Sequence, residues 1–237
     1  MNVGGVVIIF LLVLSFLGVP IFIALGIGTL VALHMADMAL IVLPQKLFTG
    51  INSSSLLAIP FFILAGSLMS RSITEKLINI ANALIWQIKG SLGVVTVLSS
   101  TLFGAISGSG VATASAIGGI TIPAMKKSGY PDEFATAISS ISSILGPIIP
   151  PSIPLIVYAS VSTVSVASLF IGSVLPGILL ACAIAVYCLI YGRKHDLPSY
   201  RKSSPIEILR AFKNGIWALL MPIIILGGIF GGIFTPT

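Results

Sequence analysis

Two short runs of this chain gather glycine, proline and hydroxyl residues inside long apolar stretches that carry no charge. Ser107, Gly108, Ser109, Gly110 and Thr113 lie in "GAISGSGVATASAIGGITIPAM", and Gly146, Pro147, Pro150, Pro151 and Ser152 lie in "GPIIPPS". Glycine loosens a helix and proline removes a backbone donor, so both runs predict interrupted helix. Within lipid such backbone survives only where protein buries it or a watery cavity meets it, because hydrocarbon satisfies no free N–H or C=O. The hydroxyls of Ser107, Ser109, Thr113 and Ser152, with the freed carbonyls, can replace the water around a small cation such as Na+. Helix N-termini aimed at the same place offer partial positive charge to an anion. The chemistry in reach is ion and anion binding by neutral groups.

Other meanings of the same residues remain open at this level. Gly104 and Gly108 stand at the GxxxG spacing that lets two helices approach, and Pro150-Pro151 would serve in an ordinary kink. Neither meaning predicts that a charge-free hairpin should be followed directly by a broken helix.

The elements that position these runs follow from composition. With 57% apolar residues, 8% charged residues and a mean hydropathy of +1.16, the chain is an all-α integral membrane protein. Each crossing takes roughly 20 apolar residues, which allows about six to eight crossings or part-crossings. The net charge of +6 is scattered at segment ends, so it speaks for topology and not for nucleic acid. Cys182 and Cys188 share one apolar run at a spacing used by neither zinc sites nor disulfide frameworks, and read as packing residues. Residues 1–33 lack the basic start and cleavage site of a signal peptide and read as a retained membrane segment.

Residues 1–72 are expected to form transmembrane helices of a scaffold. As one helix, 3–33 would be about 46 Å long, so it must tilt or break, and Gly18-Val19-Pro20 is the expected break. A short interfacial segment interrupted at Pro44 follows, then a modest crossing over 56–69 that ends at Arg71. Ile73, Leu77, Ile80, Leu84 and Ile88 recur at helical spacing, with Glu75, Lys76, Asn79, Asn82 and Gln87 largely on another face and Trp86 and Lys89 near the end. This predicts an amphipathic arm helix over 73–89, lying on the membrane surface or bracing one part against another. Residues 90–192 hold a hairpin (90–125) flanked by Lys89 and by Lys126 and Lys127, a broken helix (133–160) and a further helix (165–192). Its Ser-Gly-Ser-Gly tip is expected halfway through the bilayer. Arg193, Lys194, Arg201, Lys202, Arg210 and Lys213 make 193–214 a cytoplasmic basic loop, which places the open end of the hairpin in the cytoplasm too. Residues 215–237 form a last crossing.

Three blocks, "GAISGSGVATASAIGGITIPAMKKSGYPDEFATA", "LGPIIPPSIPLIVYA" and "MPIIILGGIFGGIFTPT", resemble the large membrane subunit of tripartite ATP-independent periplasmic (TRAP) transporters of the DctM or SiaM type. The resemblance covers almost the whole chain. It implies an ion-transporter-type inverted-repeat fold of which this sequence matches the first repeat, with a re-entrant hairpin and a broken transmembrane helix. It further implies a symporter with Na+ as coupling ion and no cofactor, in the bacterial inner membrane, importing C4-dicarboxylates or sialic acids by an elevator-type motion. The implied partners are a periplasmic substrate-binding protein, a small four-helix membrane subunit and the second repeat. By the family pattern, Ser107, Gly108, Ser109, Gly110 and Thr113 form the hairpin tip of a sodium and substrate site. Gly146, Pro147, Pro150, Pro151 and Ser152 form its unwound turn. The second repeat is expected to be missing after "FTPT", so that this polypeptide would not transport alone.

Other classes remain in view. A related carrier without a binding protein would share the hairpin logic, and a channel subunit would also use Gly/Ser-rich re-entrant segments. A membrane enzyme fits least: no HExxH motif or intramembrane Asp pair is present, and His34 and His195 fall near segment ends as interfacial residues.

Overall fold

The structure, a computed structural model, describes residues 3–85, 88–162, 164–198 and 203–233, without the side chains of residues 54, 55 and 69–72. Among the described residues the chain is helical with no strand. It divides into two compact units, Met1–Ser53 and Ser54–Thr237.

In the first unit the long apolar run breaks where Gly18 takes a left-handed φ of 80° ahead of Pro20. Helices α1 (Val3–Phe16) and α2 (Ile21–Met35) result. The chain bends back there and does not cross once: Gly28 is packed so closely on α1 that a Cβ on it would lie 3.1 Å from Phe10 Cβ and 3.2 Å from the Val7 carbonyl oxygen. At 1.5 Å per residue each arm is only about 22 Å long, short of a hydrocarbon core of roughly 30 Å. Helix α3 (Val42–Ile51) contains Pro44 in its first turn. The interruption expected there does not occur, because an N–H missing from a first turn has no acceptor to lose.

The second unit opens with α4, a helix that runs from Ser54 to Leu84. The crossing expected to end at Arg71 and the separate arm over 73–89 are therefore one element. The first part of the expected apolar face is covered by protein, with Ile73, Leu77, Ile78 and Ala81 packed on Val95, Phe103, Ile106, Ile117 and Ala218, while Leu84, at the helix's end, and Ile88, beyond it, are exposed. Charge does not stop the helix, because Glu75 is exposed and Lys76 partly so, on the side away from that core. Trp86 and Gln87 lie outside the described residues.

Helices α5 (Ser91–Ser107) and α6 (Gly110–Lys127) form the hairpin. At 1.5 Å per residue the first arm is about 25 Å long. The broken helix comprises α7 (Asp132–Ser143), α8 (Leu145–Ile148) and α9 (Ile153–Val161), with a bend of 42° at the break. Helices α10 (Val166–Lys194) and α11 (Pro205–Phe230) are each long and apolar enough to cross a membrane. The basic loop expected over 193–214 is thus mostly helix. Ser204 and Glu207 form a reciprocal capping box around Pro205, so α11 begins nearly three turns before the apolar stretch does. Residues 234–237, the "FTPT" of the sequence, lie outside the described residues, as do Arg201 and Lys202.

The two ends of the hairpin are held to the end of α10. Gly90, with φ of 84°, packs so tightly that a Cβ on it would lie 2.5 Å from the Cys188 carbonyl oxygen, and one on Gly192 would lie 2.5 Å from Gly90 Cα. Phe134 stacks on Tyr191 at 4.2 Å between ring centroids, and Tyr191 on His195 at 4.0 Å. Lys89 pairs with Asp196 and holds that exposed carboxyl below the usual range by a hydrogen bond and its charge. Cys188 is buried in this core as expected of a packing residue, whereas Cys182 is exposed on α10. Replacing Gly90 by Ala forces a side chain onto a carbonyl at positive φ, with an expected loss of about 1–3 kcal/mol. Gly119→Ala, which meets nothing within 4 Å, should be near neutral. Thermal unfolding of the two variants in detergent compares them, and equal melting temperatures would contradict this packing.

Candidate ion and anion site

The hairpin tip is built by two opposite requirements on adjacent residues. Gly108 ends α5 in the left-handed region at φ 60°, where its N–H donates to the Gly104 carbonyl at 2.9 Å. Ser109 is extended and begins α6, its hydroxyl accepting from Ala112 N–H at 3.3 Å. The Thr113 hydroxyl donates to the Ser109 carbonyl at 2.8 Å and lies 3.4 Å from the Ser107 hydroxyl. The unwound turn repeats this construction. Helix α8 closes with Ile149 N–H donating to Leu145 O at 2.8 Å. Ser152 is extended and caps α9 through Leu155 N–H at 3.4 Å, while its own hydroxyl donates to the Pro147 carbonyl at 2.5 Å. Pro150 and Pro151, joined by a cis peptide, span the gap.

The two interruptions meet. Ile153 N–H donates to the Gly108 carbonyl at 3.2 Å, so one backbone bond joins tip to turn. Side chains at the contact would keep them apart: a Cβ on Gly108 would lie 2.6 Å from the Pro151 carbonyl oxygen, and one on Gly104 2.8 Å from Gly146 Cα. A Cβ on Gly146 would lie 2.7 Å from both the Ser109 carbonyl oxygen and Thr113 Oγ1. Gly110 faces Pro147, 3.4 Å from Cδ by the same measure. Thr113 and Ser152 are fully buried and Ser107 nearly so. Gly108, Gly146, Pro150 and Pro151 are buried as well, while Ser109, Gly110, Pro147, Ile148 and Ile149 are half-buried at the junction's rim. All the residues singled out in the two runs thus fall at one junction, where α5 and α8 end and α6 and α9 begin.

Helix starts concentrate unpaired N–H groups and partial positive charge, and helix ends concentrate carbonyl oxygens and partial negative charge. One junction therefore offers both signs without a formal charge. Its oxygens are hydroxyls and peptide carbonyls, hard neutral donors of the kind that suits a hard cation.

The wall contributed by α4 does not follow from the sequence reading. A cleft of about 410 Å³ lies elsewhere, between α7 and α10, and is apolar. The cleft at the tip, about 510 Å³, is lined by Gly66 and Ser67 of α4 together with Ser107, Ser109 and Ser115 of the hairpin and Ile153 of α9. Gly66 approaches the tip directly, since its Cβ would lie 3.3 Å from Ser107 Cα. The small pair Gly66-Ser67 inside "FFILAGSLM" is the available signal.

Comparison with known proteins gives one consistent answer. The family model of the tripartite ATP-independent periplasmic transporter, DctM component, matches residues 8–237. The ectoine TRAP transporter large permease protein TeaC of Halomonas elongata is 42% identical over 94% of this chain and 53% of its own length. The sialic acid TRAP transporter large permease protein SiaM of Vibrio cholerae is 41% identical over 81% of this chain and 45% of its own. The C4-dicarboxylate TRAP transporter large permease protein DctM of Vibrio cholerae is 40% identical over 98% and 52%. The chain spans about half the length of these relatives. The resemblance read from the three sequence blocks is borne out, in a family of transport permeases and not of enzymes. This multi-pass membrane chain belongs to the DctM component family of tripartite ATP-independent periplasmic transporters.

Proposed function

We propose that this chain supplies one half of the large membrane subunit of a secondary transporter in the bacterial inner membrane, importing organic carboxylates with Na+ as the coupling ion. The observation that carries the reading is the junction itself: two serine-capped helix starts and two helix ends, joined by the Ile153–Gly108 bond, around neutral oxygens. The partners in this reading are a periplasmic binding protein that delivers the substrate, a small four-helix membrane subunit, and a second, inverted repeat that forms the other wall of the site. Movement of the hairpin and broken helix against a scaffold, as in an elevator, would carry the site across.

Ectoine, sialic acid and C4-dicarboxylates, the molecules in the relatives' names, all carry a carboxylate. That common group is what this half is suited to meet. No Lys or Arg occurs in 90–125 or 134–192, so a carboxylate at the junction finds only N–H groups, helix-start dipoles of about half an elementary charge, and the co-transported Na+. Sodium held by Ser107, Thr113, Ser152 and nearby carbonyls would fix the tip and offset the substrate's charge. Carboxylate and sodium affinities are then linked reciprocally.

Two outcomes test this. In the complete complex, carboxylate affinity measured by titration calorimetry should fall about 5–150-fold when choline replaces Na+, the usual range of such coupling. The same affinity in both salts would remove sodium from the scheme. In proteoliposomes holding the complete complex, Gly146→Ala, which drives a methyl onto the Ser109 carbonyl and Thr113 hydroxyl, should abolish Na+-driven accumulation, while Gly119→Ala leaves it intact. Undiminished uptake by a folded Gly146→Ala protein would show that the junction is not where transport happens.

A further inference from the structure

Away from the junction, the α4–α11 crossing holds a second polar feature that the transport reading does not use. The helices meet closely at Gly215, where a Cβ would lie 2.5 Å from Ile80 Cδ1 and 3.7 Å from Lys76 Cβ. Beside that contact lies a notch of about 210 Å³ lined by Lys76 and Asn79 of α4 and Glu207, Arg210, Ala211 and Asn214 of α11. The carboxylate of Glu207 is already committed, accepting from Ser204 N–H at 2.7 Å in the capping box. The side chains of Lys76, Asn79, Arg210 and Asn214 have no hydrogen-bond or ion-pair partner among the described residues. The notch therefore presents two free cations and two free amides to one small volume.

Its position says what kind of anion reaches it. The notch lies near the start of α11, in the part of the sequence that carries the basic end of α10. Beside it, α11 turns Ile206 (68% exposed), Leu209 (70%) and Trp217 (76%) outward. Exposed aliphatic groups next to a tryptophan and basic residues are the pattern of a helix crossing from headgroups into hydrocarbon. A free phosphate would need only the notch; a lipid needs the notch and the stripe together. Basic pockets between helices at the cytoplasmic face suit anionic headgroups.

We propose that the α4–α11 notch binds the phosphate of one anionic phospholipid, with Lys76 and Arg210 as cationic contacts, Asn79 and Asn214 as amide donors, and the acyl chains along Ile206, Leu209 and Trp217. The site requires only that this part of the chain lies in a membrane, so it stands or falls separately from sodium coupling.

The purified chain in detergent is titrated with phosphatidylglycerol, phosphatidylcholine and inorganic phosphate. Binding is read by native mass spectrometry, and stabilisation as the rise in melting temperature over each variant's own lipid-free value. Phosphatidylglycerol should bind and stabilise, and the other two should not. The double variant Lys76→Gln, Arg210→Gln should bind it about thirtyfold more weakly, roughly fivefold for each cation removed. Lys76→Arg should retain binding, and so should Arg193→Gln, Lys194→Gln, which removes the same charge at the end of α10. Equal weakening in that control pair would reduce the effect to bulk charge. Equal binding of phosphatidylcholine would make it unspecific, and full stabilisation by inorganic phosphate would replace the lipid by a free anion.

Discussion

The second unit depends on one constraint: two helices stop inside an apolar protein, and every backbone polar group they release must find a partner there. The bond from Ile153 N–H to the Gly108 carbonyl is the point at which the two stops satisfy each other. Without it, a donor at the start of α9 and an acceptor at the end of α5 would be buried unpaired, each at about 1–3 kcal/mol. The glycines follow from the same requirement. A backbone-to-backbone bond between elements leaves no room for side chains at the crossing, and Gly104, Gly108 and Gly146 are where a Cβ would come within 3 Å of main-chain atoms of the other segment. Serine then performs the task that lipid and water cannot, since Ser109 and Ser152 cap the new helices with hydroxyls already in place.

How much of this can be read from the residues depends on the range of the interaction. The two interruptions are legible because they are local: Ser-Gly-Ser-Gly and Gly-Pro-Ile-Ile-Pro-Pro-Ser weaken helix wherever they stand. The charge-free runs are bounded by Lys89, Lys126 and Lys127, which gives the hairpin its ends. The register in which tip and turn meet is not legible, because Gly104 against Gly146 is a contact between residues far apart in the chain. Charge is a poor guide where local structure opposes it. Glu75, four residues past the expected end of a crossing, sits on the outer side of a continuous helix whose Ile73 and Leu77 face protein. The basic residues after Arg193 suggest a loop, although Ser204-Pro205-Ile206-Glu207 is a helix start by its own chemistry. Pro44 misleads in the same way, since a proline's effect depends on its place in the turn and not on its presence.

The packing around the site is uneven, and the unevenness bears on which parts can separate. Tip and unwound turn touch backbone to backbone, α10 meets the turn through Gly177 against Ile148 and Ile149, and the base is closed by Gly90 on Gly192. These close contacts stand beside a shared side-chain core of Leu92, Val97, Phe134, Ile138, Leu145 and Ile184, so α5, α7, α8 and α10 are tightly packed on one another. Between α4 and the hairpin tip the packing is different. Gly66 touches Ser107, and the 510 Å³ cleft opens beside it, lined in part by small side chains. The loosest packing around the tip is therefore along that part of α4, whereas on either side of it the same helix is held by side chains, Ala58, Ile59 and Phe62 against Ile156, Val166 and Phe170 and Ile73, Leu77 and Ala81 against Val95, Phe103 and Ile106.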